Sequence, residues 1–150
     1  MASAPRIIRA SRPPCRCLPL TCLHMTLERW IDTLGVTVVE RPCPQGWWGY
    51  YDPDRHEVTL RPSLGAVQRY STLAHELGHA FYRHVGTTPK QERQASEWAA
   101  RALIGPAEFE SAAQVFDSVA AVANELNVLP RDVRRYARMR QDWRADAVSR

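Results

Sequence analysis

Long apolar segments are absent from this chain of 150 residues. No run approaches the ~20 consecutive apolar residues that a membrane-spanning helix requires. The apolar stretch at residues 18–23 is shorter than the roughly 7 to 15 residues of a secretion signal, and Pro19 interrupts it. The sequence therefore predicts a cytoplasmic protein that does not associate with a membrane.

An excess of one charge occurs only near the N-terminus, although the formal net charge of the whole chain is +4. Four of the 20 basic residues are arginines within residues 1–24, a segment without Asp or Glu. The other basic residues are therefore equal in number to the 16 acidic residues, all of which lie in the rest of the chain. A formally neutral body removes the compositional argument for nucleic-acid binding. We therefore expect no nucleic-acid partner.

Cysteine is scarce after the first residues of the chain. Of the 4 cysteines, Cys15, Cys17 and Cys22 precede residue 25, and Cys43 stands alone in the remainder. A single thiol forms no internal disulfide, which favours a reducing compartment. Prolines break up the N-terminal segment, so we expect no structural metal site at its cysteines.

The sequence changes character at Met25, where an ordinary amphipathic pattern begins. We interpret residues 1–24 as a disordered N-terminal extension or a mis-assigned start. A length of 150 residues and a hydrophobic content of 45% provide for one ordinary core. Residues 25–150 are therefore predicted to form one domain, with a C-terminal helical region at about residues 107–146.

Periodicity and turn residues predict an α+β fold. A helix is expected over residues 26–34, a short strand over 36–40, and a hairpin with arms 47–51 and 56–60 around the turn at 52–55. Further helices are expected at about 64–84, 90–104, 106–116, 118–126 and 131–146. We expect a small antiparallel β-sheet packed on the helix of residues 64–84, with the additional helices completing the core.

The most informative string within that helix is His75-Glu76-Leu77-Gly78-His79. Two histidines four residues apart lie within about 40° of one helix face, so both imidazoles can bind one ion. Zinc accepts imidazole nitrogen and, at catalytic sites, keeps one position open for water. Glu76 follows the first ligand and can accept a proton from that water without binding the metal. The pattern predicts a zinc-dependent peptide hydrolase.

A third protein ligand must come from outside this string, and three residues are available. Glu92 shares one stripe of the next helix with small residues that can pack against the motif helix, whereas Glu97 points off that stripe. His84 lies roughly 140° around a continuous helix from His79, so it could join only if the helix ended first. We predict Glu92, followed by Glu97 and then His84.

The segment from Ser71 to His79, taken with residues 91–100 and with Leu103-Ile104, resembles the ImmA/IrrE family of metallopeptidases, particularly its phage and mobile-element members. The resemblance covers about residues 25–106. It implies a gluzincin-like minimal domain with two His ligands and one Glu ligand. It also implies a protein substrate: a cytosolic helix-turn-helix repressor whose cleavage derepresses phage or mobile-element genes. Family members often carry an acidic residue at the position of Gln94, and its absence here favours Glu92 as the ligand.

A different interpretation comes from the C-terminal part of the chain. Residues 120–133 have the rhythm of a helix-turn-helix, and an arginine-rich stretch overlaps and follows them, interrupted by two aspartates. The alternative function is a zinc-stabilised regulator that binds DNA or a repressor and has no hydrolytic activity. The arginines concerned are Arg131, Arg134, Arg135, Arg138 and Arg140.

Two features of the expected site stay open at the level of sequence. The hairpin either pairs with an extended substrate backbone or serves only as scaffold. A donor that stabilises the oxyanion is also needed, and Tyr51, Tyr82 and His84 are equally available for it.

Overall fold

A computed structural model describes residues 26–140 of the chain. The interpretation of residues 1–24, including the three N-terminal cysteines, lies outside the described residues. So does the part of the last predicted helix that follows Arg140. Between residues 26 and 140, none of the helices has the length and apolar character needed to cross a membrane.

The described chain contains a small mixed sheet and a set of helices, so the α+β prediction is confirmed. The first half holds α1 (Leu27–Leu34), β1 (Thr37–Glu40), β2 (Gly49–Asp52), β3 (Glu57–Leu60) and α2 (Ala66–Tyr82). The second half is helical, with α3 (Pro89–Leu103), α4 (Pro106–Val115), α5 (Val119–Leu126) and α6 (Pro130–Arg140).

Local signals in the sequence place the ends of the first and third helices. The Thr26 side chain accepts a hydrogen bond from the backbone N–H of Arg29, and Gly35 ends α1 with a φ of 66°. At α3, Thr88 and Gln91 form a reciprocal capping box, with Pro89 in the first turn. Because these caps are local, the predicted boundaries of both helices agree with the structure to within one or two residues.

The prediction that the sheet is antiparallel throughout is wrong. The strand order is β1-β3-β2. The hairpin strands β2 and β3 pair antiparallel as expected, but β1 pairs with β3 in parallel. The chain reverses direction before β2 and again before β3, so β3 runs in the direction of β1. Because β1 joins the free side of β3, β2 becomes an edge strand.

One face of the sheet packs on α2, which also contacts α1 and α3. A side chain at Gly49 would come within 2.8 Å of the carbonyl oxygen of Thr59 and of the Thr72 methyl carbon, so only glycine allows β2 to approach α2 this closely. The core between these elements consists of Leu27, Val36, Val58, Leu60, Leu73, Ala74, Leu77, Ala80, Trp98 and Ala99.

The C-terminal helices form a second core that continues from the first. Its buried residues come from the end of α3 and from α4, α5 and α6, and α6 packs directly on α3. A buried hydrogen bond of 2.7 Å from the Ser71 hydroxyl to the Asp132 carboxylate also ties α6 to α2. The helix-turn-helix-like segment, α5 and α6, is therefore attached to the elements that carry the histidines.

Candidate metal centre

The second helix places His75, Glu76 and His79 on the side that faces β2 and α3. Glu76 and His79 are buried, with exposed fractions of 8% and 5%. Glycine at position 78 allows α3 to come close, since a Cβ atom there would lie 2.8 Å from the Ala95 carbonyl oxygen. This close packing of two helices brings a residue of α3 next to the two imidazoles.

That residue is Glu92, in the first turn of α3. The Nε2 atoms of His75 and His79 lie 3.2 Å apart. Glu92 places Oε2 at 3.2 Å from His75 Nε2 and Oε1 at 3.3 Å from His79 Nε2. Bonds of about 2.0 to 2.1 Å in a tetrahedral zinc site put ligand atoms roughly 3.3 Å apart. The spacing of these donor atoms therefore fits one divalent ion, and the three residues could hold it together.

The far nitrogen of each imidazole also has a neighbour. His84 Nδ1 lies 3.1 Å from His79 Nδ1, and Ser96 Oγ lies 3.4 Å from His75 Nδ1. The second helix ends at Tyr82, and Arg83 adopts a left-handed conformation with φ 51°, which turns the buried His84 back toward His79. His84 thus contacts a ligand candidate from behind rather than joining the group of donor atoms. Such outer contacts fix the tautomer and orientation of metal-binding histidines.

Burial keeps both histidines in the form that binds metal. Burial, together with the charges of His75 and His84, lowers the pKa of His79 to about 4. Burial also lowers the pKa of His75, although the nearby Glu92 carboxylate opposes this effect. At neutral pH the two imidazoles are therefore uncharged, and each has a lone pair for coordination.

Glu76 is the buried carboxyl group beside this cluster. Burial, and next to it the charge of Glu92, raises the pKa of Glu76 to about 8, while a hydrogen bond with the Tyr51 backbone lowers it. That hydrogen bond anchors the carboxyl group to the edge strand β2. A group with a pKa near neutrality can both accept and return a proton.

The remaining sequence candidates lie outside the donor group. Glu97 is not among the residues whose ligand atoms come together within the described chain. The Tyr51 hydroxyl lies 2.7 Å from His56 Nδ1, and His56 Nε2 lies 2.7 Å from the Leu34 carbonyl oxygen. Because that carbonyl can only accept, His56 Nε2 donates to Leu34, and His56 Nδ1 is left as the partner of the Tyr51 hydroxyl. The Tyr51 hydroxyl therefore takes part in a structural hydrogen bond with His56. Tyr82 stacks on His84.

Two cavities open on opposite sides of the cluster and share His75, Glu76, Glu92 and Gly49 in their walls. The side next to β2 and the turn after α2 is lined by aromatic and aliphatic groups, among them Trp47, Tyr50, Tyr51 and Val85. The other side is lined by Trp48, Ser96, Arg131, Asp132 and Arg135.

The contribution of α6 to this wall is a feature that sequence reasoning missed. The sequence pattern connects Arg131 and Arg135 only with the alternative function, in which an arginine-rich stretch binds DNA or a repressor. Their separation of four residues places both on one side of a helix. Nothing in the sequence shows that this side faces the metal cluster.

Comparison with known proteins agrees with these observations. The family model Peptidase_M78, described as the IrrE N-terminal-like domain, matches residues 31–134. The match is more than half of the chain and includes the two histidines, Glu76, Glu92 and the first residues of α6. A comparison with curated proteins finds no significant match, and neither does a comparison with solved structures.

Proposed function

This chain belongs to the IrrE N-terminal-like domain family of metallopeptidases, the ImmA/IrrE family, and on that premise we propose that it is a zinc-dependent endopeptidase that cleaves a helix-turn-helix repressor in the cytoplasm. The observation that carries the catalytic part is the meeting of three donor atoms from His75, His79 and Glu92 beside the buried carboxyl group of Glu76. The repressor, and the derepression of phage or mobile-element genes, are supported by the resemblance in sequence.

In this proposal His75 and His79 bind the metal through Nε2, and Glu92 binds it through its carboxylate. The Nδ1 atom of His79 must then carry the proton and donate it to His84, 3.1 Å away. When bound, zinc acts as a Lewis acid that polarises the scissile carbonyl and lowers the pKa of water.

Glu76 is the proposed general base and general acid. Its carboxylate takes a proton from the attacking water and returns it to the amine of the leaving peptide. Burial and the charge of Glu92 raise its pKa to about 8, and a bound dication opposes this increase.

The edge strand β2 is the proposed binding site for the substrate backbone. β2 pairs with β3 on one side only, so the backbone groups of its other side can pair with an extended peptide. Gly49, Tyr50 and Tyr51 of this strand line a cavity together with His75 and Glu76. A peptide added to β2 would therefore pass the metal cluster in extended form. This favours the binding role of the hairpin over a purely structural one.

The test compares new protein N-termini in host cells that express wild type, Glu76→Gln or the matched control Glu97→Gln. Glu97 lies on α3, as Glu92 does, but outside the donor group. We expect new N-termini within a helix-turn-helix repressor for wild type and Glu97→Gln, and none for Glu76→Gln.

Zinc content is measured on the same purified variants. We expect Glu76→Gln to retain zinc, because Glu76 is not a proposed ligand. If Glu76→Gln carries zinc and gives the same N-termini as wild type, hydrolysis by this site is refuted, and the non-hydrolytic regulator becomes the better account.

A further inference from the structure

The cavity on the α6 side of the cluster has a basic wall. This cavity of about 370 Å³ is lined by both Arg131 and Arg135, and it reaches His75, Glu76 and Glu92. The two arginines are four residues apart on α6, so their side chains lie on one face of the helix. A peptide bound across the metal cluster would have one of its two halves in this cavity.

Arg131 is held in place by three neighbours. Its guanidinium donates a hydrogen bond of 3.0 Å to the Ser71 hydroxyl and lies 5.2 Å from the centre of the Trp48 ring. Its Nε atom is 3.9 Å from the carboxylate of the buried Asp132. The charge of Arg131 thus has a nearby counter-charge. Its guanidinium contacts α2 at Ser71, the residue before β2 at Trp48, and α6 at Asp132.

Arg135 differs from Arg131 in having no carboxylate within ion-pair distance among residues 26–140. Among the half-buried arginines of residues 26–140, Arg41 pairs with Glu57 at 2.9 Å and Arg140 with Glu110 at 2.6 Å. Arg61 and Arg134 form no ion pair within that range, and neither of them lines this cavity. Arg135 is also half-buried, yet it forms no ion pair with any residue in the range 26–140. Its guanidinium has lost part of its hydration without gaining a fixed carboxylate in exchange.

The other charged groups of the cavity leave Arg135 as the excess cation. Asp132 lies beside Arg131, Glu92 lies beside the two histidines, and no carboxylate in the wall of this cavity forms an ion pair with Arg135. An arginine fork binds a carboxylate through two parallel hydrogen bonds. The opposite cavity, with Trp47, Tyr50 and Val85 in its wall, offers no comparable cationic group.

We propose that Arg135, with Arg131 beside it, forms a subsite that binds a carboxylate of the peptide substrate on one side of the scissile bond. This subsite rests on the proposed peptidase function and adds a selectivity to it. The carboxylate comes from an Asp or Glu side chain or from the C-terminus of the substrate. Both sources present the same chemistry to a guanidinium, so the experiment includes an arm for each.

The cleavage test uses a proteome-derived peptide library whose cut sites are read by mass spectrometry. Wild type is compared with Arg135→Glu and with Arg138→Glu, a control on the exposed face of the same helix. We expect wild type and the control to favour an acidic residue at one fixed position from the cut by about tenfold, because hydrogen bonds to charged groups are that strong. Arg135→Glu should reverse this preference toward Lys and Arg. Cleavage by wild type with neither an acidic preference nor a fixed distance from the C-terminus of the substrate overturns the subsite but leaves the peptidase function standing.

The binding test does not require hydrolysis and is made in the Glu76→Gln background. The probes are fluorescein-labelled octapeptides that differ only in Glu, Gln or Lys next to a central Phe-Ala pair, each with a free or an amidated C-terminus. We expect the Glu peptide to bind about tenfold more tightly than the Gln peptide, and Arg135→Gln to remove the difference while Arg138→Gln retains it. A preference for free over amidated C-termini identifies the chain end as the carboxylate.

The outcomes separate this proposal from the proposed function. Carboxylate-dependent binding that Arg135→Gln removes supports the subsite, whether or not wild type cuts the octapeptide, because hydrolysis is tested separately by the new N-termini in cells. Absent binding overturns the subsite, and so does equal binding of the Glu, Gln and Lys peptides with no preference for a free over an amidated C-terminus. Salt-sensitive binding of duplex DNA that depends on Arg135, with no carboxylate preference among the peptides, also overturns it and assigns the arginine to nucleic acid.

Discussion

The contact between the Nδ1 atoms of His79 and His84, 3.1 Å apart, sets which nitrogen of His79 is available to a metal. If His84 accepts the Nδ1 proton of His79, the Nε2 lone pair is left facing His75 and Glu92. His84 is buried and stacks on Tyr82, so its ring has little freedom to turn away. In the proposed site, His84 would therefore act on the metal through His79 and would not be a ligand itself.

We predict that His84→Phe weakens zinc binding by about 10-fold to 100-fold, the usual effect of losing an outer partner of a histidine ligand. Phenylalanine keeps a ring against Tyr82 but has no ring nitrogen, so the Nδ1 atom that faces His79 is lost. Zinc affinity is measured by competition with a chromophoric chelator, and thermal unfolding of the metal-free variant checks the fold. An affinity equal to that of wild type would show that His84 does not position His79.

The pair Tyr70 and Glu28 makes the free energy of unfolding change with pH in the alkaline range. The Tyr70 hydroxyl donates a hydrogen bond of 2.7 Å to Glu28 and so joins α2 to α1. Burial, the hydrogen bond to Glu28 and the charge of Glu28 raise the pKa of Tyr70 to about 12. An unfolded tyrosine titrates near about 10. A raised pKa in the folded state means that the stabilisation is complete below about pH 10 and is lost as the pH rises toward about 12.

We therefore predict that the free energy of unfolding falls more steeply for wild type than for Tyr70→Phe between about pH 10 and about pH 12. Urea unfolding of the metal-free proteins at several pH values in this interval measures the difference. Because the two proteins share every other titrating group, the loss of stability that those groups cause at alkaline pH cancels in the difference between the two free energies of unfolding. Parallel curves for the two proteins would mean that the hydrogen bond seen between α1 and α2 contributes nothing.

At the scale of elements, the distance between α2 and α3 determines whether Glu92 reaches the histidines. The closest contact is at Gly78, where a Cβ atom would lie 2.8 Å from the carbonyl oxygen and 2.9 Å from the Cα atom of Ala95. Both are backbone atoms, so the whole of α3 would have to shift. Glu92 lies one turn before Ala95 and would move with it.

We predict that Gly78→Ala lowers the free energy of unfolding by about 1 to 2 kcal/mol, because the cost of overpacking exceeds the gain of about 1 kcal/mol in helix propensity. Zinc affinity should fall as well. Chemical unfolding and chelator competition measure the two effects. Gly65→Ala at the N-cap of α2 is the control for zinc affinity, which it should leave unchanged, since a Cβ atom at Gly65 meets nothing within 4 Å. Unchanged stability and affinity in Gly78→Ala would contradict the required close packing.

The elements differ in how far the sequence alone could define them. Helix positions were predictable because Thr26, Gly35, Thr88 and Pro89 act within one turn of their own helix. The hairpin was predictable for the same reason, since its turn lies between its two strands. The parallel pairing of β1 with β3 was not, because it joins residues separated by the whole hairpin, and no local pattern selects which edge of β3 is used.

At the scale of the whole molecule, the site draws on elements that are far apart in the chain. The edge strand β2, the histidine helix α2, the Glu92 helix α3 and the arginine helix α6 all contribute to the walls of the two cavities. Motif spacing was enough to select His75, Glu76 and His79 as candidates, and helical periodicity to prefer Glu92. The orientation of Arg131 and Arg135 depends on how α6 packs on α3, which is a property of the assembled core and not of the arginine-rich segment itself.

The central claim is that one zinc ion is bound by His75, His79 and Glu92. Its most direct test is elemental analysis of purified wild type, His79→Ala, Glu92→Gln and the control Glu97→Gln, after zinc is supplied and the excess is removed. Circular dichroism shows that each protein is folded. We predict about one zinc per chain in wild type and Glu97→Gln, and loss of zinc in His79→Ala and Glu92→Gln. Folded wild type without zinc would contradict the claim. Zinc retained by Glu92→Gln but lost from Glu97→Gln would contradict the assignment of the third ligand.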